Sequence, residues 1–117
     1  MQTVLEMAEF IRQARKNMSD DARINLIKHL ALNPLSGDLM AETGGVRKLR
    51  WMSGSSNKGK SGGVRVVYFY HNSAMPIFLL TVYPKSEKDN LTQKEKNILK
   101  KTMKQIVETY ERGKYEQ

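Results

Sequence analysis

The chain has 117 residues, no cysteine, and 20 lysines and arginines against 12 aspartates and glutamates, for a formal net charge of +8. This length fits one domain, residues 1–117, whose core needs no metal or disulfide staple, and the lack of cysteine excludes disulfide frameworks and cysteine-based zinc sites. The longest apolar run, residues 77–82, is too short to span a bilayer, and the N-terminus lacks the basic and apolar regions of a signal peptide. We therefore expect a cytoplasmic protein that does not enter the membrane.

The first third of the chain is predicted to be mainly helical. Residues 3–5 are expected to form a short strand, and apolar side chains then recur at helical spacing over residues 7–18. A second helix is expected to begin after Ser19, because a hydroxyl group at that position caps the free N–H groups of a helix. It should end near Asn33, since Pro34 disfavours helical geometry in the residue before it.

The middle of the chain is predicted to form a three-stranded meander. Residues 46–52, 63–70 and 76–83 are rich in β-branched and aromatic side chains. The connection 71–75 is short enough to make the last two strands a hairpin. Residues 34–45 have the composition of a loop.

A last helix is predicted from its start signal and its amphipathic pattern. Thr92 and Glu95 have the spacing of a capping box, and apolar residues follow at helical intervals. The order helix, helix, meander, helix predicts an α+β fold. In this fold two N-terminal helices pack on a small antiparallel sheet, and a C-terminal helix is added.

The positive charge is concentrated in the predicted sheet. Residues 43–86 hold seven bases and no acid, the residues up to Glu42 hold five bases and six acids, and those from Glu87 onward hold eight bases and six acids. Residues 43–86 therefore supply +7 of the net charge of +8. The positive charges on such a surface repel one another unless a polyanion neutralises them. Phosphate backbone is the commonest cellular polyanion, so we predict a nucleic-acid partner. The seven bases are Arg47, Lys48, Arg50, Lys58, Lys60, Arg65 and Lys85.

Side-chain alternation along the predicted strands places most of these bases on one face. Arg65 shares its face with Val67, opposite Val66, and Lys48 and Arg50 share a face opposite Leu49 and Trp51. One arrangement has the helices on one face and the following residues on the other: Lys48, Arg50, Arg65, Tyr83 and Lys85. Lys58 and Lys60 would reach in from the glycine-rich loop.

Three further expectations follow from the predicted strands. The third strand should place Leu79, Thr81 and Tyr83 on one face, with Lys85 in line behind them. Arg47 points with the apolar residues of the first strand, which favours a contact at the sheet edge or with a loop. Neither Arg65 nor Lys85 is expected to belong to the core. The competing interpretation is that these bases are solvated charges on ordinary strands, and the absence of any acid among them argues against it.

Residues 54–61 match the Walker A pattern letter for letter, but their context does not suit nucleotide hydrolysis. That motif needs a strand before it and a helix after it, whereas a strand is predicted to follow here. No acid lies within the sheet region to hold Mg²⁺. The segment is better interpreted as a basic hairpin loop that lies over a phosphate backbone. His29 and His71 do not have metal-ligand spacing, so no metal site is predicted.

Four segments together resemble the HigB branch of the RelE toxin superfamily. They read TGGVRKLRW, GKSGGVRVVY, LLTVY and KSEKDNL, and the similarity extends from about Pro34 to the last helix. The resemblance implies a short first strand, two helices and a concave antiparallel sheet. It also implies the toxin half of a type II toxin–antitoxin pair, a ribosome-dependent endoribonuclease that needs neither metal nor cofactor. Members of this family enter the ribosomal A site and cut the codon there, with the 2′-OH of the message as nucleophile.

The resemblance also implies roles for individual residues. Lys48 and Arg50 match the basic positions of the first strand, Lys60 the glycine-flanked loop position, Arg65 the arginine of the second strand and Lys85 the base after the third strand. The expected catalytic residues are Arg65, Lys85, Lys60 and Arg50. The expected RNA- and ribosome-binding residues are Lys48, Lys58, Arg47 and Tyr83. No tyrosine or histidine follows shortly after Lys85, where several relatives keep one, so the general acid and base are not identified.

Two other classes of function stay open at the level of sequence. A non-catalytic RNA- or DNA-binding module would use the same basic face, and the lack of an obvious general base favours it. A structural protein would dock an acidic partner there and would not bind nucleic acid. For the toxin, the resemblance implies a neutralising antitoxin with a helix-turn-helix domain, besides mRNA on the ribosome.

Overall fold

Five strands form one mixed sheet in the computed structural model, which describes residues 1–54, 63–87 and 90–115. The order across the sheet is β1-β5-β4-β3-β2, with β1 parallel to β5 and every other neighbouring pair antiparallel. The predicted meander is the centre of this sheet, and the α+β class is confirmed. The strands are β1 (Val4–Glu6), β2 (Asp38–Leu39), β3 (Val46–Trp51), β4 (Val64–Phe69) and β5 (Ile77–Pro84).

Three helices occupy the described part of the chain: α1 (Ala8–Asn17), α2 (Asp20–Leu32) and α3 (Gln93–Tyr115). The predicted start of α2 is confirmed, because the Ser19 hydroxyl accepts a hydrogen bond from the backbone N–H of Ala22 at 3.1 Å. The capping box of α3 is also confirmed. The Thr92 hydroxyl accepts from the Glu95 N–H at 3.1 Å, and the Glu95 carboxylate accepts from the Thr92 N–H at 2.9 Å.

The helices cover both faces of the sheet. On one face α1 and α2 bury Phe10, Leu26 and Leu30 against strand residues such as Val66. On the other face α3 buries Met103 in a second cluster whose strand members include Val46, Val67, Phe69 and Phe78. The expectation that all helices share one face is therefore wrong for α3. These strand residues would expose a large apolar area to water, and the apolar stripe of α3 covers it.

A register shift in β5 changes which side chains share a face. Val67 pairs with Thr81, but the next residue, Tyr68, pairs with Leu79, so Leu80 is an extra residue in β5. Leu79 packs in the cluster under α1 and α2, whereas Tyr83 packs in the cluster under α3. The predicted grouping of Leu79 with Thr81 and Tyr83 is therefore wrong, since strict alternation does not continue through a bulge.

A buried tyrosine ties the loop after α2 to the sheet. The Tyr68 hydroxyl accepts a hydrogen bond from the Gly37 N–H at 2.8 Å and donates one to the Pro34 carbonyl at 2.8 Å. The side chain is fully buried, and this burial raises the pKa of Tyr68 above its ordinary value. The loop that carries β2 is thereby held beside β3.

We expect Tyr68→Phe to lower the free energy of unfolding by about 1–3 kcal/mol, because the Gly37 N–H and the Pro34 carbonyl each lose their partner. Urea denaturation at neutral pH measures this difference. Tyr110→Phe, on an exposed position of α3, should change it by less than about 0.5 kcal/mol. Since the pKa of Tyr68 is raised on folding, its contribution is complete below the unfolded pKa of about 10 and is lost as the pH rises through the folded value. Equal stability of Tyr68→Phe and wild type would show that the hydrogen bonds of the Tyr68 hydroxyl to Gly37 and Pro34 do not stabilise the fold.

Candidate nucleic-acid interface

Two arginines and a tyrosine form a row across the sheet. Arg50 on β3 pairs with Arg65 on β4, and Arg65 pairs with Tyr83 on β5, so the three side chains lie on the same face. This is the face on which α3 lies. Like charges directly opposite each other destabilise an antiparallel pair. An anion bound between Arg50 and Arg65 would relieve that repulsion.

Arg65 is buried, with only 4% of its surface exposed. The expectation that it lies outside the core is therefore wrong. β4 is the central strand, and all six of its residues are buried, so a long side chain on it packs along its neighbours before it reaches water. Burial restricts the guanidinium group to one conformation before a ligand binds, and it excludes water that would compete with the ligand for the same N–H groups. Both effects strengthen the interaction of Arg65 with a phosphate.

Two concave depressions adjoin at these arginines. The first, which we term the α2 groove, has a volume of about 710 Å³ and runs beside the start of α2. It is lined by Ser19, Asp21, Ala22, Asn25, Arg50, Trp51, Met52, Gly54, Arg65 and Lys85. The second, the β2 groove, has a volume of about 590 Å³ and is lined by Ser36, Asp38, Lys48, Leu49, Arg50 and Arg65. Arg50 and Arg65 line both grooves, so they lie where the two meet.

The structure thus brings together most of the bases that the sequence singled out. Arg50, Arg65 and Lys85 line the α2 groove, and Lys48 joins the two arginines in the β2 groove. Lys85 is exposed, and its backbone N–H donates to the Gly63 carbonyl at 3.4 Å, which continues the pairing of β4 and β5. Lys58 and Lys60 lie outside the described residues, as does most of the Walker-like segment.

Arg47 and Tyr83 have positions that differ from those of the exposed bases. Arg47 donates from Nη1 to the Gly37 carbonyl at 2.7 Å, which agrees with the expected edge or loop contact. Tyr83 is buried, with 8% of its surface exposed, and packs in the cluster under α3. Both side chains are engaged within the protein, Arg47 by its bond to the Gly37 carbonyl and Tyr83 by its packing under α3.

The start of α2 lines the α2 groove together with the bases. The Ser19 N–H donates to the Ser53 carbonyl at 2.8 Å, and the Trp51 indole N–H donates to the Ala22 carbonyl at 3.0 Å. These two bonds fix α2 against the end of β3. Trp51 packs against the core and also lines the groove.

Sequence reasoning did not identify Asp21 or Asn25 as groove residues. In the sequence, Asp21 indicates only a favourable negative charge at the N-terminus of a helix. The sequence does show that both residues are polar and four positions apart, so they share one side of the helix, where the structure leaves both exposed. This pattern does not reveal which part of the sheet that side of the helix lies beside.

Two general features of the described residues bear on the class of protein. Within residues 1–54, 63–87 and 90–115, no group of three or more histidine, cysteine, aspartate or glutamate side chains could hold a metal ion. In the same part of the chain, no helix is both long and apolar enough to cross a membrane.

An α+β fold with a cationic cleft on its sheet is a suitable scaffold for binding a phosphate backbone. The family model described as "RelE toxin of RelE / RelB toxin-antitoxin system" matches residues 2–114, and the chain belongs to this family of toxins. The predicted membership of the RelE superfamily is thus confirmed, and its HigB branch stays a prediction. The family also implies an antitoxin partner.

A solved structure shows the same fold. It is a double arginine-to-alanine mutant of the E. coli toxin RelE in the free state, and it superposes with a TM-score of 0.52 at 15% sequence identity. The match covers 72% of this chain and 83% of that chain. At this identity the likeness concerns the fold alone.

Proposed function

We propose that this toxin is a ribosome-dependent endoribonuclease that cuts mRNA in the A site and thereby stops translation. The observation that carries the proposal is the convergence of Arg50, Arg65 and Lys85 on one groove. Three cations around one cleft suit a phosphate that gains negative charge as it reacts.

The proposed reaction is an attack of the message's own 2′-OH on the adjacent phosphorus. The bond from the 2′-oxygen to phosphorus forms and the bond to the 5′-oxygen breaks. The 2′-OH loses its proton, the leaving oxygen gains one, and the products end in a 2′,3′-cyclic phosphate and a 5′-OH. No electron transfer is needed, and the charge that develops on the non-bridging oxygens can be stabilised by side chains alone, without a metal ion.

The residues receive the following roles in the proposal. The fixed guanidinium of Arg65 binds the non-bridging oxygens in two places, and Arg50 and Lys85 add charge from either side. Lys60 is proposed as the fourth catalytic residue, which also contributes positive charge. Lys48 and Lys58 are proposed to hold the RNA backbone or ribosomal RNA. Arg47 and Tyr83, also expected to contact RNA, are better suited to support: Arg47 through its bond to the Gly37 carbonyl and Tyr83 beside Arg65.

Purified toxin on programmed ribosomes tests the reaction, with primer extension to locate the cut. We expect cutting of the A-site codon, none of the same mRNA without ribosomes, and none when the scissile nucleotide carries 2′-deoxyribose. A phosphorothioate at the scissile phosphate should slow the reaction without rescue by Mn²⁺, because no metal contacts that oxygen. Cutting of the 2′-deoxy codon, or rescue by Mn²⁺, would contradict the mechanism.

A non-catalytic RNA- or DNA-binding module is the second candidate. The observation that favours it is that no histidine or tyrosine is among the described residues lining the α2 groove. Such a module would leave the message intact on the ribosome, and its affinity would fall steeply with salt. Growth should then continue normally under confirmed expression.

The proposed setting is the cytoplasm, where the ribosomes are, and the proposed partner is an antitoxin with a helix-turn-helix domain encoded beside this gene. Expression of the toxin alone should arrest growth, and co-expression with the neighbouring gene product should restore it. Free growth without any partner would count against the toxin function.

A further inference from the structure

The part of α2 that lines the α2 groove carries hydrogen-bonding groups instead of cations. Asp21 and Asn25 are four residues apart on α2, so their side chains lie one above the other on the same side of the helix. Both are exposed, and within residues 1–54, 63–87 and 90–115 neither side chain has a hydrogen-bond partner. They are therefore available to a ligand that enters the groove.

Apolar side chains also line the α2 groove. The indole of Trp51 is held by its hydrogen bond to the Ala22 carbonyl, and the side chain of Met52 beside it is 77% exposed. Core packing does not account for an apolar side chain so open to water. Aromatic and thioether groups offer a surface on which the flat face of a nucleobase can lie.

The position of the arginines relates this groove to the phosphate. Arg50 and Arg65 line both grooves, so a phosphate bound between them would have room for one flanking nucleoside on the side of α2 and for the other on the side of β2. The α2 groove, at about 710 Å³, also falls within the range of roughly 300–1,000 Å³ that is typical of small-molecule sites.

We propose that the α2 groove is a base-recognition site, in which Asp21 and Asn25 select a nucleobase that carries an exocyclic amino group. A carboxylate only accepts hydrogen bonds, so Asp21 matches the amino group of adenine, cytosine or guanine. The amide of Asn25 both donates and accepts, and it completes a two-point contact with the same base edge. Uracil has no amino group, and its one ring donor, N3–H, lies between two carbonyl oxygens that repel a carboxylate, so uracil should bind Asp21 more weakly than the amino-bearing bases. This inference rests on the proposed function, because the arginine-bound phosphate is taken to be the one that is cut.

Maps of cleavage sites on programmed ribosomes test the inference in wild type, Asp21→Ala and Asn25→Ala. Wild type should cut codons with an amino-bearing base at one position next to the cut about tenfold to a hundredfold faster than codons with uracil there. Either substitution should reduce that ratio to within about threefold of one. Asp20→Ala is the matched control, because Asp20 is an exposed acid in the same first turn that does not line the groove. It should keep both the rate and the ratio of wild type.

A binding experiment separates this inference from the proposed function. Trinucleotides with 2′-O-methyl groups cannot be cut, and NMR can follow the Asn25 side-chain amide and the Trp51 indole N–H as each is added. We expect larger shifts and tighter binding with adenine, cytosine or guanine than with uracil, and loss of this difference in Asp21→Ala.

The outcomes are distinguishable. If wild type cuts mRNA but the variants keep its base preference, or if neither reporter group moves, base recognition by α2 is wrong and the proposed function stands. If wild type does not cut on ribosomes but binds trinucleotides with the expected preference, the groove is a base site and the enzymatic proposal fails. If wild type neither cuts nor distinguishes the trinucleotides, both proposals are wrong.

Discussion

Replacing Lys85 by alanine should abolish growth arrest and slow A-site cleavage about a hundredfold to a thousandfold, the typical loss when one electrostatic contact to a transition state is removed. Lys85 is exposed and follows the last strand of the meander, so the thermal midpoint should stay within a few degrees of wild type. Single-turnover cleavage on programmed ribosomes and a thermal melt measure the two effects.

Arg65 should show a loss of activity at least as large, but its substitution needs a different design because the side chain is buried. Arg65→Ala would leave a cavity beside Tyr83 and confuse instability with lost catalysis. Arg65→Met keeps most of the stem and removes the charge. Arg65→Lys keeps the charge and removes the two-point fork, so it should recover only part of the rate.

Lys28→Ala is the control for both positions, because Lys28 is an exposed base on α2 that lines neither groove. It should remain toxic. Folded Lys85→Ala and Arg65→Met proteins that still cut mRNA at the wild-type rate would show that the catalytic surface lies elsewhere.

Gly63→Ala should prevent stable folding or lower the free energy of unfolding by roughly 2–5 kcal/mol, the sum of a left-handed backbone penalty and a steric overlap. Gly63 has a φ of +66°, and a Cβ there would lie 2.3 Å from the Trp51 carbonyl oxygen. That oxygen belongs to the neighbouring strand backbone and cannot move away without separating β3 from β4. The pairing of Arg50 with Arg65 would be disturbed as well, since both lie within two residues of this contact.

Gly113→Ala is the matched control, because a Cβ at this position of α3 meets nothing within 4 Å. It should be neutral or stabilising by up to about 1 kcal/mol, as alanine is the better helix former. Chemical denaturation of both variants measures the difference. A Gly63→Ala protein as stable as wild type would mean that the start of β4 relaxes at little cost.

The features that the sequence predicted well depend on local chemistry. Ser19 and the Thr92–Glu95 pair cap their helices through bonds that span three residues, so the residues themselves are the signal. The convergence of Arg50, Arg65 and Lys85 also followed from short-range information. Hairpin connections make consecutive strands neighbours in the sheet, and the alternation of side chains along each strand determines the face on which each basic residue lies.

The features that sequence reasoning missed depend on distant partners. β2 has only two residues, too few to show a period. The short strand β1 is predicted correctly, but its parallel pairing with β5 joins residues some seventy positions apart and leaves no local signal. The position of α3 follows from which strand residues were left uncovered by the other two helices. The burial of Arg65 results from the same packing. Asp21 and Asn25 become groove residues because one backbone hydrogen bond, from Ser19 to Ser53, and one bond from the Trp51 indole to the Ala22 carbonyl fix α2 against the end of β3.

The extra residue in β5 has a genetic consequence. Loss of the Leu80 codon would remove the bulge and make the two halves of the strand continuous with strict alternation. Leu79 would keep its place in the core and Tyr83 its place beside Arg65, because Leu79 and Thr81 would then follow each other as their partners Tyr68 and Val67 do. β4 carries no extra residue, so loss of one codon between Arg65 and Phe69 would instead put these two side chains on opposite faces of the sheet. A three-nucleotide deletion that alters no charged residue would therefore leave the site in register in β5 and disrupt it in β4.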